Sequence, residues 1–441
     1  MRRPLLILLW VLTAAGQEAP VMPLSLRKAV EIAVAPEGNT RIEIAQEVIA
    51  QAEARKAQAR SALLPNIDGS VSYQDITRNL RAFGIQVPSV PGIPFSFPSF
   101  AGPFGVFDAR ASANQSVFDL SSIRRYQSSK AGVEVARREK ESTRTLVTDQ
   151  VARAYLSALR AESNLETARA NVQLAEALRE LAESQKRAGT GTGIEVTRAD
   201  VQLANEKQRL LVAENDRSRA HLLLLRALDL RLDTRLELTD RLAYQIVEPI
   251  SYDQAVAAAV SARPDWKAQQ EKEHLNQLNY SAVRSERLPS VAAFADYGSI
   301  GTEIGDSRAT RGVGIALRFP VFDGGRRDAR RAESMSLLRQ EQIRSRDLRR
   351  QMELEIRLAF DTLQSADLQV RTAEEGMKLA ERELEQAQRR YKAGVTNSLE
   401  VTDAQTRVAR ARRNRTDALF QHNLARLDLG TAIGAVDRFL P

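Results

Sequence analysis

From residue 352 to residue 391 the small and apolar positions fall at Met352, Ile356, Ala359, Leu363, Ala366, Val370, Ala373, Met377, Ala380, Leu384, Ala387 and Tyr391. The steps alternate between four and three, the period of a coiled-coil seam. Val147, Val151, Ala154, Ala158, Ala161, Leu165, Ala168, Val172 and Ala175 follow the same rule earlier in the chain. Each seam lies in a long stretch without proline, from Leu120 to Ala188 and from Arg326 to Ala393, with a single glycine in each, Gly132 or Gly376. Both stretches predict one continuous helix, about 100 Å long at 1.5 Å per residue. A helix of that length needs a packing partner along its extent. Alanine recurs at one heptad site, 359, 366, 373, 380 and 387. Its small side chain lets backbones approach closely and favours tight antiparallel pairing.

Elsewhere the period changes to two. Ile67, Gly69, Val71 and Tyr73 alternate with Asp68, Ser70, Ser72 and Gln74. Phe107, Ala109, Ala111 and Ala113 alternate with Asp108, Arg110, Ser112 and Asn114, and Val313, Ile315 and Leu317 with Gly312, Gly314 and Arg318. A further segment, Val291–Ile300, alternates less cleanly because Phe294 falls on the polar side. These patterns predict strands at about 65–76, 104–118, 289–301 and 311–321. Each is long enough to cross a bilayer as a tilted β-strand. The stretch "RAFGIQVPSVPGIPFSFPSFAGPFG" between the first two reads as a loop, exposed at a barrel mouth.

The same phrases occur twice in the same order. "LRKAVEIAV" (26–34) resembles "YDQAVAAAV" (252–260), "LPNIDGSVSY" (64–73) resembles "LPSVAAFADY" (288–297), and "SVFD" (116–119) resembles "PVFD" (320–323). "KRAGTGTGIEV" (186–196) aligns with "YKAGVTNSLEV" (391–401), with Ala188 over Ala393, Gly189 over Gly394 and Glu195 over Glu400. The duplication divides the chain into a first repeat, 17–248, with a tip at about 187–194, and a second, 249–441, with a tip at about 392–399. Each reads helix, strand, loop, strand, long helix, tip, helix. Gly189 and Gly394 free the backbone for the turns, and Thr192 and Asn397 or Ser398 stand where they cap the next helices.

The fold class is therefore mainly α with membrane β: long antiparallel coiled-coil helices plus four strands per chain. Four strands cannot close a barrel that spans a membrane, and an open edge is not tolerated in lipid. The strands must be pooled with copies of the same chain. Two copies make an eight-stranded barrel, whose interior side chains tend to fill; three make a twelve-stranded barrel, which leaves a lumen more readily.

Composition narrows the class. Of 441 residues, 64 are Lys or Arg and 56 Asp or Glu, a net charge of +8. The basic balance raises nucleic acid as a partner, but the two signs are interleaved, the pattern of solvated helix faces, and no nucleic-acid partner is expected. There is no cysteine, which excludes disulfides, thiolate metal sites, a Cys nucleophile and a lipid anchor on Cys. His221, His274 and His422 have no metal-ligand spacing, so no metal or cofactor is expected. No catalytic arrangement or phosphate loop appears, so no enzyme is expected. The start, "MRRPLLILLWVLTAAGQEAP", has Arg2 and Arg3, an apolar core from Leu5 to Val11 and small residues before Gln17. Residues 1–16 read as a secretory signal peptide, and the chain as exported.

The duplicated LP strand starts, the VFD strand-to-helix junctions and the AG……EV tips at Ala188–Val196 and Ala393–Val401 carry a resemblance. Nearly the whole mature chain resembles the TolC family of outer-membrane efflux proteins. The resemblance implies a homotrimer with one shared twelve-stranded β-barrel in outer-membrane lipid, continuous with a helical α-barrel in the periplasm. It implies a passive channel of a tripartite efflux or type I secretion system, partnered by a periplasmic adaptor protein and an inner-membrane pump. It places Ala188, Gly189, Ala393 and Gly394 at hairpin tips that suit adaptor docking. It places a periplasmic gate at Glu400 and Asp403, six and nine positions after the second tip glycine, where three chains would form carboxylate rings that favour cations. It links Tyr391 to Glu195 on the neighbouring hairpin. Some members carry an arginine two residues after the second glycine, where this chain has Thr396. Glu400 and Asp403 also fit helix-N-terminal carboxylates held by the helix dipole. Two rival classes are a periplasmic adaptor, which would have one hairpin between lipoyl-like halves, and a coiled-coil structural protein, which leaves the strands unexplained.

Overall fold

The computed structural model describes residues 21–84, 100–396 and 398–438. The predicted signal peptide, residues 85–99 of the Pro- and Phe-rich segment, and the capping candidate Asn397 fall outside the described residues. The first repeat runs β1 (Val21–Leu24), α1 (Leu26–Val34), α2 (Thr40–Ser61), β2 (Asn66–Asn79), β3 (Phe100–Phe118), α3 (Leu120–Arg187), α4 (Gly193–Ala227) and β4 (Arg235–Leu238). The second runs α5 (Tyr252–Ala262), α6 (Pro264–Ser285), β5 (Ser290–Gly301), β6 (Arg308–Arg318), α7 (Arg326–Lys392) and α8 (Ser398–Ala432). Two compact units form, one from Met1–Gln46, Glu139–Trp266 and Leu348–Pro441, the other from Glu47–Arg138 and Lys267–Asp347. Each draws on both repeats.

The two long helices are present, α3 with 68 residues and α7 with 67. The aspartates of the VFD phrases start them. Asp119 Oδ1 accepts the Ser121 N–H at 2.9 Å, and Asp323 Oδ2 accepts the Arg327 N–H at 3.2 Å. Each carboxylate satisfies a backbone donor that the first helical turn leaves without a partner.

In the first unit the predicted seams are the buried faces. Val151, Ala158 and Ile356 are wholly buried, and Val147, Met352, Ala366, Val370 and Ala387 nearly so. Ala154, Leu363, Ala373, Met377 and Leu384 are partly buried. Removing a side chain such as Ile356 or Val151 from water contributes about 1.5–3 kcal/mol. The short helices α1 and α5 begin at matching serines: Ser25 Oγ accepts the Lys28 N–H and Ser251 Oγ the Gln254 N–H, both at 3.3 Å. The structure adds an element the periodicity did not predict, a parallel pairing of β1 with β4. Four residues per strand are too few for a two-residue period to stand out. Tyr155 locks this corner, donating to the Leu24 carbonyl at 2.9 Å and lying 2.8 Å from Asp240 Oδ2, which also accepts the Leu26 N–H.

The second unit carries a four-stranded antiparallel sheet in the order β2-β3-β5-β6. The β3–β5 ladder joins the repeats, and β2 and β6 are its edges. β6 ends at Arg318 rather than at 321, because Pro320 has no N–H to offer a ladder. β2 runs on to Asn79 and β3 begins at Phe100, both beyond the predicted bounds.

The register confirms the alternation. Ile67, Ala113, Ala295 and Val313 lie in one row across the strands, with Ala293 opposite Ile315 on the same face. This face is apolar and bare: Val313 is 87% exposed and Ile67 74%. The other face carries Asp68, Ser112, Asp296 and Gly312 in one row and Ser70, Arg110, Gly298 and Thr310 in the next. There Arg110 bridges Asp296 at 2.8 Å and Asp108 at 3.3 Å. Phe294, the misfit of the alternation, stands opposite Gly314. A Cβ on Gly314 would lie 2.5 Å from the ring, so the missing side chain is what makes room for the aromatic. Among the described residues no helix is long and apolar enough to cross a membrane.

Candidate functional site at the hairpin tips

Both hairpins turn by the same device. α3 closes with Gly189 at φ 73° and α7 with Gly394 at φ 71°. This left-handed conformation suits glycine, and it lets the amides beyond the helix satisfy its last carbonyls. Gly189 N–H donates to the Lys186 carbonyl at 3.1 Å, and Thr190 and Gly191 both donate to Gln185 at 3.0 Å. Gly394 N–H donates to Tyr391 and Val395 N–H to Arg390, both at 3.0 Å. Lys186 and Arg187, and Arg389, Arg390 and Lys392, place positive charge at the negative ends of the helix dipoles. Ala188, Gly189, Ala393 and Gly394 are all exposed.

Each hairpin is tied across its arms by ion pairs. Arg179 on α3 holds Asp200 on α4 at 2.6 Å, and Arg407 on α8 pairs with Glu383 on α7. Below the second turn Ala387, Tyr391, Val401 and Ala404 form a buried apolar cluster, with Leu178 and Leu181 of α3 packed against it. The two hairpins therefore touch through side chains at the tips.

Tyr391 is 4% exposed within that cluster. It shares a cavity of about 20 Å³ with Glu195, Arg198 and Gln202 of α4 and with Ser398 and Gln405 of α8. The structure brings Tyr391 and Glu195 to one cavity without joining them directly. Glu195 Oε2 accepts the Thr192 N–H at 3.0 Å, as the third helical residue of a capping box. Burial first, and the Glu195 charge second, push the Tyr391 phenol above its ordinary pKa. The phenol therefore stays neutral.

Glu400 is not free at the tip. Its Oε1 lies 3.1 Å from Arg390 Nη1, and its Oε2 accepts from the Thr396 hydroxyl. Asp403, three residues on, is exposed. Sequence reasoning did not single out Arg390, Ser398 as a cavity residue, or Gln405. Arg390 was findable: it and Glu400 stand five residues either side of Val395, and an antiparallel hairpin sets such pairs side by side. Gln405 has no such signal, because its burial depends on α3 and α4.

The sequence model of the outer membrane efflux protein family matches residues 34–229 and 255–435, covering both repeats. The chain belongs to this family. The pyoverdine export outer membrane protein OpmQ of Pseudomonas aeruginosa is 24% identical over 396 residues, 87% of this chain and 79% of that protein. The outer membrane efflux protein BepC of Brucella suis is 26% identical over 161 residues, and that match spans 36% of this chain and 35% of BepC. The crystal structure of the Campylobacter jejuni CmeC outer membrane channel superposes with a TM-score of 0.74 at 19% identity, over 93% of this chain and 86% of that one, a likeness of fold. This efflux protein is thus a protein of the outer membrane.

Proposed function

We propose that the efflux protein works as a homotrimer, whose three sheets close one twelve-stranded barrel in the outer membrane and whose tips gate the periplasmic entrance. The carrying observation is the sheet itself. It has two free edges, β2 and β6, and a bare apolar face on which Ile67, Val313 and Ile315 are exposed. In hydrocarbon each unpaired backbone group of such an edge costs several kcal/mol, so the edge of one copy must pair with that of the next. The apolar face then meets lipid, and the face with Asp108, Arg110 and Asp296 lines the lumen.

In this reading Tyr391 and Glu195 hold the two hairpins of one chain together, and Glu400 and Asp403 stand at the entrance. The exposed tip residues Ala188, Gly189, Ala393 and Gly394 offer a docking surface to a periplasmic adaptor protein. An inner-membrane pump supplies the energy; the channel is passive, has no cofactor and catalyses no reaction. Electron microscopy of the chain extracted from outer membranes in detergent tests the assembly. Threefold particles are expected. Monomers, or recovery only in the soluble periplasm, would refute the shared barrel.

A further inference from the structure

Three polar atoms at the tip take no part in the ion pairs and caps that hold the hairpins. Tyr391 Oη, Ser398 Oγ and Gln405 Nε2 are buried and have no hydrogen-bond partner among the described residues. All three residues line the cavity of about 20 Å³ that Glu195 also lines. A buried polar group left unpaired is strongly unfavourable, and such groups in folded proteins find a protein or water partner. The rest of the wall is mixed: Ala175, Leu178, Ala182 and Val401 are apolar, Arg198, Gln202 and Thr402 polar, and Gln202 and Thr402 already donate elsewhere, to Glu206 and to the Ser398 carbonyl. A volume of about 20 Å³ takes one water molecule and nothing larger, since roughly 10–15 Å³ is the minimum for a water. A buried water needs about two to four polar partners, and this cavity has Tyr391, Ser398, Gln405 and the Glu195 carboxylate at its wall.

We propose that the cavity is a site for one water molecule bonded to Tyr391, Ser398 and Gln405 of the second hairpin and to the Glu195 carboxylate of the first. The inference rests on reading the tips as the gate. The water joins α4 of the first hairpin to α7 and α8 of the second, and Ser398 and Gln405 are positioning residues that hold it under the Tyr391 phenol. The three side chains have complementary chemistry: the amide nitrogen donates, and the two hydroxyls donate or accept. Bridging through water is nearly as favourable as a direct hydrogen bond. It also makes the lock releasable. When the hairpins part, bulk water replaces the bridging one, and no polar group is stranded in either state. While they stay together, the apolar cluster of Ala387, Val401, Ala404, Leu178 and Leu181 keeps further water out.

Two measurements on the full-length trimer test this. The first is a high-resolution crystal structure, which should place an ordered water within about 2.7–3.2 Å of Tyr391 Oη, Ser398 Oγ and Gln405 Nε2. A dry cavity, or a direct Tyr391–Glu195 hydrogen bond, overturns the site. The second is single-channel recording in planar bilayers. Tyr391→Phe, Ser398→Ala and Gln405→Leu should each raise the open probability roughly fivefold, the effect of losing one net hydrogen bond. Ser398→Thr keeps the hydroxyl and should stay near the parent value. Tyr391→Phe combined with Gln405→Leu should open no further than Tyr391→Phe alone, because both remove one bridge. Additive effects overturn the shared water. Water in place with conductance unchanged in every variant overturns the gate reading and leaves a purely structural site.

Discussion

Arg390 and Glu400 face each other across the second tip, Nη1 to Oε1 at 3.1 Å, while Thr396 donates to the other carboxylate oxygen. The chain thereby draws Glu400 back against its own hairpin. Among the described residues Asp403 makes no such contact, and it stays exposed. If these carboxylates border the conduit, Arg390 partly neutralises one of the two rings. Arg390→Gln should therefore make the channel more cation-selective, read as a shift in reversal potential under a salt gradient. Stability should fall by less than about 1 kcal/mol, since the pair is exposed. An unchanged reversal potential would mean that Glu400 does not face the ion path.

The tip glycines make a sharper thermodynamic prediction. Gly189 and Gly394 have positive φ, and nothing stands within 4 Å of where a Cβ would go. Only backbone strain opposes a side chain there. Gly189→Ala and Gly394→Ala should each destabilise their tip by about 1–2 kcal/mol, visible as faster amide exchange around the turn. Gly376 also has open space, but it lies inside α7 with no positive φ. Gly376→Ala should instead stabilise the helix by about 0.5–1 kcal/mol. Equal effects at all three positions would rule out backbone strain as the cause.

Tyr155 makes stability depend on alkaline pH. Burial first, then the hydrogen bond and charge of Asp240, raise its phenol well above the ordinary value of 10.0. Folding therefore favours the protonated phenol. That contribution is fully present below pH 10 and is lost as pH rises through the higher folded value. Urea unfolding between about pH 9 and pH 12 should give a steeper loss of stability for the parent than for Tyr155→Phe. Tyr155→Phe should cost about 0.5–1.5 kcal/mol at neutral pH, the loss of one hydrogen bond to a Leu24 carbonyl that keeps the Thr239 N–H. Parallel pH profiles would remove Tyr155 as the titrating group.

Two glycines of β5 and β6 should behave differently although both sit on the polar face. A Cβ at Gly298 would meet the Ala109 carbonyl oxygen at 2.6 Å, and backbone in a ladder cannot give way. A Cβ at Gly314 would meet only the far end of the Phe294 ring. Gly298→Ala should cost about 1–3 kcal/mol in thermal unfolding of the detergent-solubilised protein. Gly314→Ala should cost less, and Phe294→Ala in the same chain should remove most of that cost. If the double variant is as unstable as the sum of the two single ones, the ring is not what fills the space over Gly314.

Much of this architecture was legible without coordinates. Alternating steps of four and three marked the buried faces of α3 and α7, and steps of two marked both faces of the sheet. Both periods are local properties of a backbone with a fixed repeat. Duplicated phrases located the two turns, because a left-handed residue after a helix calls for glycine wherever it occurs. The alternating signal faltered at Phe294, where Gly314 on another strand supplies the reason.

What the chain determined by itself is thus the set of elements, their periods, their turns and the need for a partner along every long helix and every open strand edge. The tertiary structure alone decided which side chains meet. It set Gln405, Ser398 and Tyr391 of one hairpin against Glu195 of the other, and it closed β1 against β4 across more than two hundred residues of sequence. Those contacts depend on packing between distant segments, and no local period records which distant face a side chain will meet.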